Sequence, residues 1–163
     1  MIRVTVWNEY AHEKIEQRVA DVYPNGIHNA IADFLRCDDI TVRTATLDDP
    51  ECGLTTEVLK QTDVLIWWGH MRHGDVPDEV VARVCEEVRN GMGFIGLHSA
   101  HPSKPMQYIL GATGRLQWRE GDRARVWCTC PTHPIAKGIP LSFELPEEEM
   151  YGEYFDIPKP DDQ

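Results

Sequence analysis

Residues 63–69, DVLIWWG, form an unbroken apolar run closed by a glycine, the pattern of a strand buried on both faces of a sheet. A second run, GFIGLH at 93–98, reads the same way. Between them lies a helix: Pro77 suits its first turn, Val80, Val81, Val84, Cys85 and Val88 share one face, and Gly91 falls where a capping glycine belongs. Toward the N-terminus, IRVTVW at 2–7 alternates as a strand does. Ile15, Val19 and Val22 then predict a helix over 12–22, ended by Pro24-Asn25-Gly26. Ile27, Ala30, Ile31, Phe34 and Leu35 make a second helical stripe, followed by a strand at 40–45 and a short helix at 54–60. Toward the C-terminus come a short helix at 104–110 and a strand at 125–129, and from Glu144 the chain turns acidic and proline-rich, with no element assigned. Strand and helix alternating in this way predict an α/β fold, a doubly wound, mostly parallel sheet flanked by helices.

At 163 residues the chain is one domain's length. A formal net charge of -11, with no Lys/Arg cluster longer than two, excludes nucleic acid and anionic membrane as expected partners. No apolar run approaches the ~18 residues of a membrane span, and MIRVTVWNEY lacks the apolar core of a signal peptide. Five scattered cysteines, an odd number, fit free thiols in a cytoplasmic protein better than a disulfide framework. Apolar helix faces in so small a domain serve a homo-oligomer as readily as a core.

In open α/β sheets ligands bind beyond the carboxyl ends of the strands. The first strand ends at Asn8 and Glu9, with His12 a turn later; the third delivers His70 and His73 in WWGHMRH; the fourth delivers His98 and His101 in GLHSAH. Five of the seven histidines thus collect at three strand ends, His28 and His133 being the exceptions. Imidazole binds zinc and related ions through a neutral nitrogen, and catalytic zinc commonly keeps three protein ligands. His70, His98 and His101 are the candidate ligands of a divalent, zinc- or manganese-like metal. Without metal the same cluster still serves acid–base work, while any one histidine there can simply bond a loop carbonyl. His73, between Arg72 and Gly74, is expected in solvent. Trp68 and Trp118 are core residues first and sugar-stacking faces second. Cys128 and Cys130 lack the second pair a zinc ribbon needs. Glu147-Glu148-Glu149 reads as a solvated run, with one carboxylate able to turn inward, and a GxGxxG fingerprint is absent.

The stretches RVTVWNEYAHEK, YPNGIHNAIADFL, TDVLIWWGHMRH, GFIGLHSAH, WRE, HPIAKGI and EEEMYGEYFDIP together resemble the trehalose-utilisation (ThuA-like) family along essentially the whole chain. The resemblance implies a flavodoxin-like fold of the class I glutamine-amidotransferase-like superfamily and a place in the breakdown of trehalose and related disaccharides, alongside oxidoreductases that form 3-keto sugars. Amidotransferase relatives carry a nucleophilic cysteine after the strand matching GFIGL. Here His98 and Ser99 stand there, and Ser99 lacks the G-x-S-x-G context of a serine nucleophile, so a cysteine-dependent amidotransferase is not expected. The family motifs single out Asn8, Glu9, His12, His28, His70, His98, His101, His133 and Glu149. His28, near a helix start, either faces the crevice or caps a buried polar contact, with the crevice favoured.

The expectation is a metal-assisted enzyme acting on a sugar or 3-keto sugar by isomerisation, elimination or hydrolysis. The ion on His70, His98 and His101 would polarise the substrate, and Glu9, His12 or Glu149 would move the proton. Asn8, His28, Trp68, Ser99, Trp118 and His133 would contact the small-molecule carbohydrate. The alternative is a non-catalytic sugar-binding or regulatory protein. Relatives continue past EEEMYGEYFDIP, so residues 1–163 are expected to form one domain lacking the family's C-terminal strands.

Overall fold

Strand β1 (Ile2–Asn8) lies between β2 (Ile40–Thr46) and β3 (Val64–Trp68), and β4 (Gly93–Gly96) adds to the far side of β3. All four are parallel, in the order β2-β1-β3-β4. The computed structural model describes residues 1–152, 156–159 and 161. Residues 153–155 of EEEMYGEYFDIP and positions 160, 162 and 163 of the closing PKPDDQ lie outside the described residues. The chain groups into two units, Met1–Leu110 and Gly111–Gln163.

In the first unit the sheet order creates a switch point. From β1 the chain runs out to β2 on one side and then crosses back to β3 on the other, so the loops leaving β1 and β3 lead to helices on opposite faces of the sheet, the topology at whose strand ends open α/β sheets bind ligands in a crevice. Asn8 is in register with both Thr46 and Trp68, the last residues of their strands. The larger core lies on one face of the sheet. There Trp7, Leu65 and Trp67 pack with Leu54, Leu59, Val80, Val81, Val84 and Cys85, contributed largely by α4 (Thr56–Lys60) and α5 (Asp78–Arg89). The Trp7 and Trp67 rings stack at 3.8 Å. On the opposite face Val4, Val6 and Ile66 meet Ile31 and Leu35 of α3 (Ile27–Leu35). Helix α6 (Lys104–Leu110) packs beside α5.

Two expectations for this unit are corrected. The helix over 12–22 is two short helices, α1 (His12–Ile15) and α2 (Gln17–Val22), separated by Glu16 in extended backbone. GFIGLH is not a strand buried on both faces: β4 stops at Gly96, lies at the edge of the sheet, and leaves Ile95 47% exposed. Its apolar run reflects a strand with glycine at each end rather than a central one.

The second unit is an antiparallel hairpin of β5 (Gln117–Trp127) and β6 (Ser142–Gly152), paired from Trp127↔Ser142 to Gln117↔Gly152 with irregular register between Arg119 and Ala124. It replaces the expected short strand at 125–129 and gives strand structure to part of the acidic segment. Arg125 pairs with Glu144 across the hairpin, so the charges that mask the strand pattern in sequence are cross-strand partners. Among the described residues no helix is long and apolar enough to cross a membrane.

Candidate functional site

The crevice is built on Glu9, one residue beyond β1. Its backbone N–H donates to the Trp68 carbonyl at 3.2 Å, carrying the pairing with β3 one step past the strand. Its side chain is 1% exposed. Oε1 accepts from the Met71 N–H at 2.9 Å, while Oε2 accepts from Arg72 at 2.9 Å and Met71 at 3.2 Å. The carboxylate expected to move a proton is thus occupied by the loop after β3. Gly69 makes room for it: a Cβ there would lie 3.2 Å from Glu9 Oε2 and 3.4 Å from His73 Nδ1.

Three residues on, His12 opens α1 and meets the same loop. Its Nε2 lies 2.6 Å from His70 Nδ1, and its Nδ1 lies 3.1 Å from Glu16 Oε1. Glu16 Oε2 accepts from Arg18 Nε at 2.7 Å. The Arg18 hydrogen bond, and after it that of His12, holds the Glu16 carboxyl below the usual carboxylate range. The result is a chain Glu16–His12–His70 that begins at a clamped carboxylate and ends at an exposed imidazole. The Trp68 ring stands edge-on to His12 at 6.1 Å.

Asn8 and His28 form a separate, buried network. Asn8 Nδ2 donates to Glu13 Oε1 and faces His28 Nδ1, both at 2.9 Å, and its Oδ1 accepts from the Tyr10 N–H at 2.8 Å. Glu13 Oε1 also accepts from Ile27 N–H at the start of α3. Burial lowers the pKa of His28, and Gly26 packs so tightly on its ring that an added Cβ would sit 2.3 Å from Cε1. Of the two orientations open to His28, the structure has the buried polar contact, not the crevice. His73 also departs from expectation. It is not solvated: Nε2 is shut off from solvent with no hydrogen-bond partner, and burial lowers its pKa.

Beyond β4 the His98 and His101 rings lie nearly parallel with centroids 6.2 Å apart, and Ser99 between them is buried. Among the described residues no three His, Cys, Asp or Glu side chains are grouped to hold a metal ion. His70, His98 and His101 are not brought together in such a group: His70 lies against His12, and the His98 and His101 rings face each other. Trp118, His133 and Glu149 belong to the second unit. There Trp118 is 63% exposed, His133 Nδ1 accepts from Ile135 N–H in the turn Pro134–Ala136, and Glu149 accepts from the Tyr151 hydroxyl.

Sequence reasoning missed Glu13 and Glu16. The signal for Glu16 was its i, i+4 spacing from His12. Glu13 gave none, because its partners lie at the ends of β1 and α3.

The trehalose-utilisation (ThuA) family model matches residues 3–163. The chain belongs to the ThuA family. No curated protein matches it. The crystal structure of a ThuA-like protein from Bacteroides uniformis is similar in fold, with a TM-score of 0.64 at 16% identity over 92% of this chain. This ThuA-family chain spans 60% of the length of that structure.

Proposed function

We propose that this ThuA-family chain is an enzyme of disaccharide breakdown that moves protons on a sugar or 3-keto sugar, with His70 as the residue that meets the substrate. The observation that carries this reading is the chain Glu16–His12–His70 in the crevice beyond β1 and β3. An ionised Glu16 accepts the Nδ1 proton of His12, which fixes His12 Nε2 as an acceptor for the Nδ1 proton of His70. His70 Nε2 then carries the lone pair and is a general base. A ketone acidifies the neighbouring C–H; His70 takes that proton and becomes imidazolium, and the positive charge is shared with His12 against Glu16. Delivery of the proton from the His70 imidazolium to the former carbonyl carbon, with the neighbouring hydroxyl proton passing to the former carbonyl oxygen, isomerises the sugar, whereas expulsion of the β-leaving group, which takes the imidazolium proton as it departs, completes an elimination. Trp68 offers the sugar ring an apolar face beside this base. No step is routed through a metal, and zinc and manganese analysis of untagged protein tests the expectation that His70, His98 and His101 bind one.

The deciding experiment incubates the protein with 3-keto disaccharides in deuterated water and follows them by NMR. Deuterium uptake next to the ketone, or a new product, is expected. His70→Ala should lower turnover by about 10²–10⁴-fold, the usual weight of a positioned acid–base group. If the wild-type protein produces neither change with or without added metal, the non-catalytic sugar-binding alternative replaces this reading.

A further inference from the structure

We infer that Glu9 is a positioning residue that sets the place of His70 by clamping the loop after β3. This deepens the proposed function and rests on it for its catalytic consequence. Glu9 stands between the two histidines in the chain's connections. His12 follows it by three residues, and the two residues after His70 donate their backbone N–H groups to its carboxylate. The Glu9 main chain is itself bonded to Trp68. Glu9 thus grips β3 through its backbone and the loop leaving β3 through its side chain, and the His12–His70 separation of 2.6 Å is held from both sides. Two consecutive N–H groups aimed at one point form a small anion-binding nest, and a buried carboxylate is the side chain that satisfies it. The close approach of Gly69 to Oε2 fixes where that carboxylate lies.

The test reads His70 directly. In protein labelled with ¹⁵N at histidine, Glu9→Gln replaces one acceptor by an opposing NH₂, and Glu9→Ala removes both. Each should move the His70 ring-nitrogen shifts and speed amide exchange at Met71 and Arg72 at least about tenfold. Turnover should fall mainly in kcat, with KM little changed. Formate added to Glu9→Ala, a small carboxylate for the vacated nest, should bring the His70 shifts back toward wild type. Should either Glu9 variant fail to fold, Gly69→Ala, which crowds Oε2 from the other side, is expected to move the same shifts. His70 shifts identical to wild type in the folded variants would overturn the assignment, as would lost activity with His70 unmoved, which would make Glu9 a direct participant. These spectra need no substrate. A wild-type protein without turnover whose His70 still answers to Glu9 sinks the proposed reaction and leaves the clamp standing.

Discussion

Asp63 shows what one side chain does when its partners come from a neighbouring strand. Arg3 Nη2 donates to Oδ1 at 2.5 Å, and Arg3 Nε and its backbone N–H donate to Oδ2 at 3.1 and 2.7 Å. These hydrogen bonds, the side-chain ones first, hold the carboxyl down from 3.8 to about 2. A carboxylate whose folded pKa is depressed stabilises the fold above its ordinary pKa, and that contribution disappears as pH falls from about 4 toward 2. The urea midpoint of wild type should therefore fall more steeply over that window than that of Asp63→Asn. His28 titrates in a higher window. Buried and depressed below 6.5, it favours the fold while neutral and loses that contribution as pH drops below that value. Histidine NMR should show its ring titrating at lower pH than a free imidazole, and His28→Gln should flatten the pH dependence of stability as pH falls below 6.5. At this scale the strand-end histidines were legible from sequence, because a histidine directly after an apolar run has few other places to go. Their partners were not. That Glu9 turns inward onto loop amides, or that His12 meets His70, depends on where a second strand brings its loop.

Elements were more readable where burial repeats along the chain. The apolar runs of β3 and the valine face of α5 are periodic because each packs against a continuous surface, so sequence alone marks them. Leu65 in β3 is fully buried, and Leu65→Ala should cost about 2–5 kcal/mol in chemical denaturation. Phe34, on the same stripe that predicts α3, is 87% exposed, and Phe34→Ala should stay within about 0.5 kcal/mol. Thr55 caps α4 by accepting from Val58 N–H at 3.3 Å, and Thr55→Ala should cost about 1 kcal/mol. The hairpin β5–β6 escaped a reading by periodicity because QWREGDRARVW and SFELPEEEMYG bury little on either side. Strands held by ladder bonds and ion pairs carry no apolar rhythm. The break at Glu16 escaped for another reason: hydrophobic spacing runs straight through it.

For the molecule as a whole, charge and exposed apolar surface oppose one another. At pH 7 the formal charge of -11 makes copies repel one another. In the second unit Trp127, Ile135, Ile139 and Phe143 line an apolar groove of about 410 Å³. With a pI near 5.0, light scattering should rise as pH approaches 5 and fall again toward 7, where repulsion returns. The sheet order has a consequence of another kind, for the sequence of events in folding. β1 pairs with β2 across an excursion that holds α1, α2 and α3, but His12 must wait for His70, 58 residues away, and Glu9 for Met71, 62 away. Closing such loops is entropically costly and comes after local structure. The crevice is therefore absent from any intermediate in which β3 has not docked, and a chain emerging from the ribosome holds no site until residues 71 and 72 are out. A sugar that bridges the two loops would act as a clasp on the last step of assembly, binding only the finished sheet and slowing its opening.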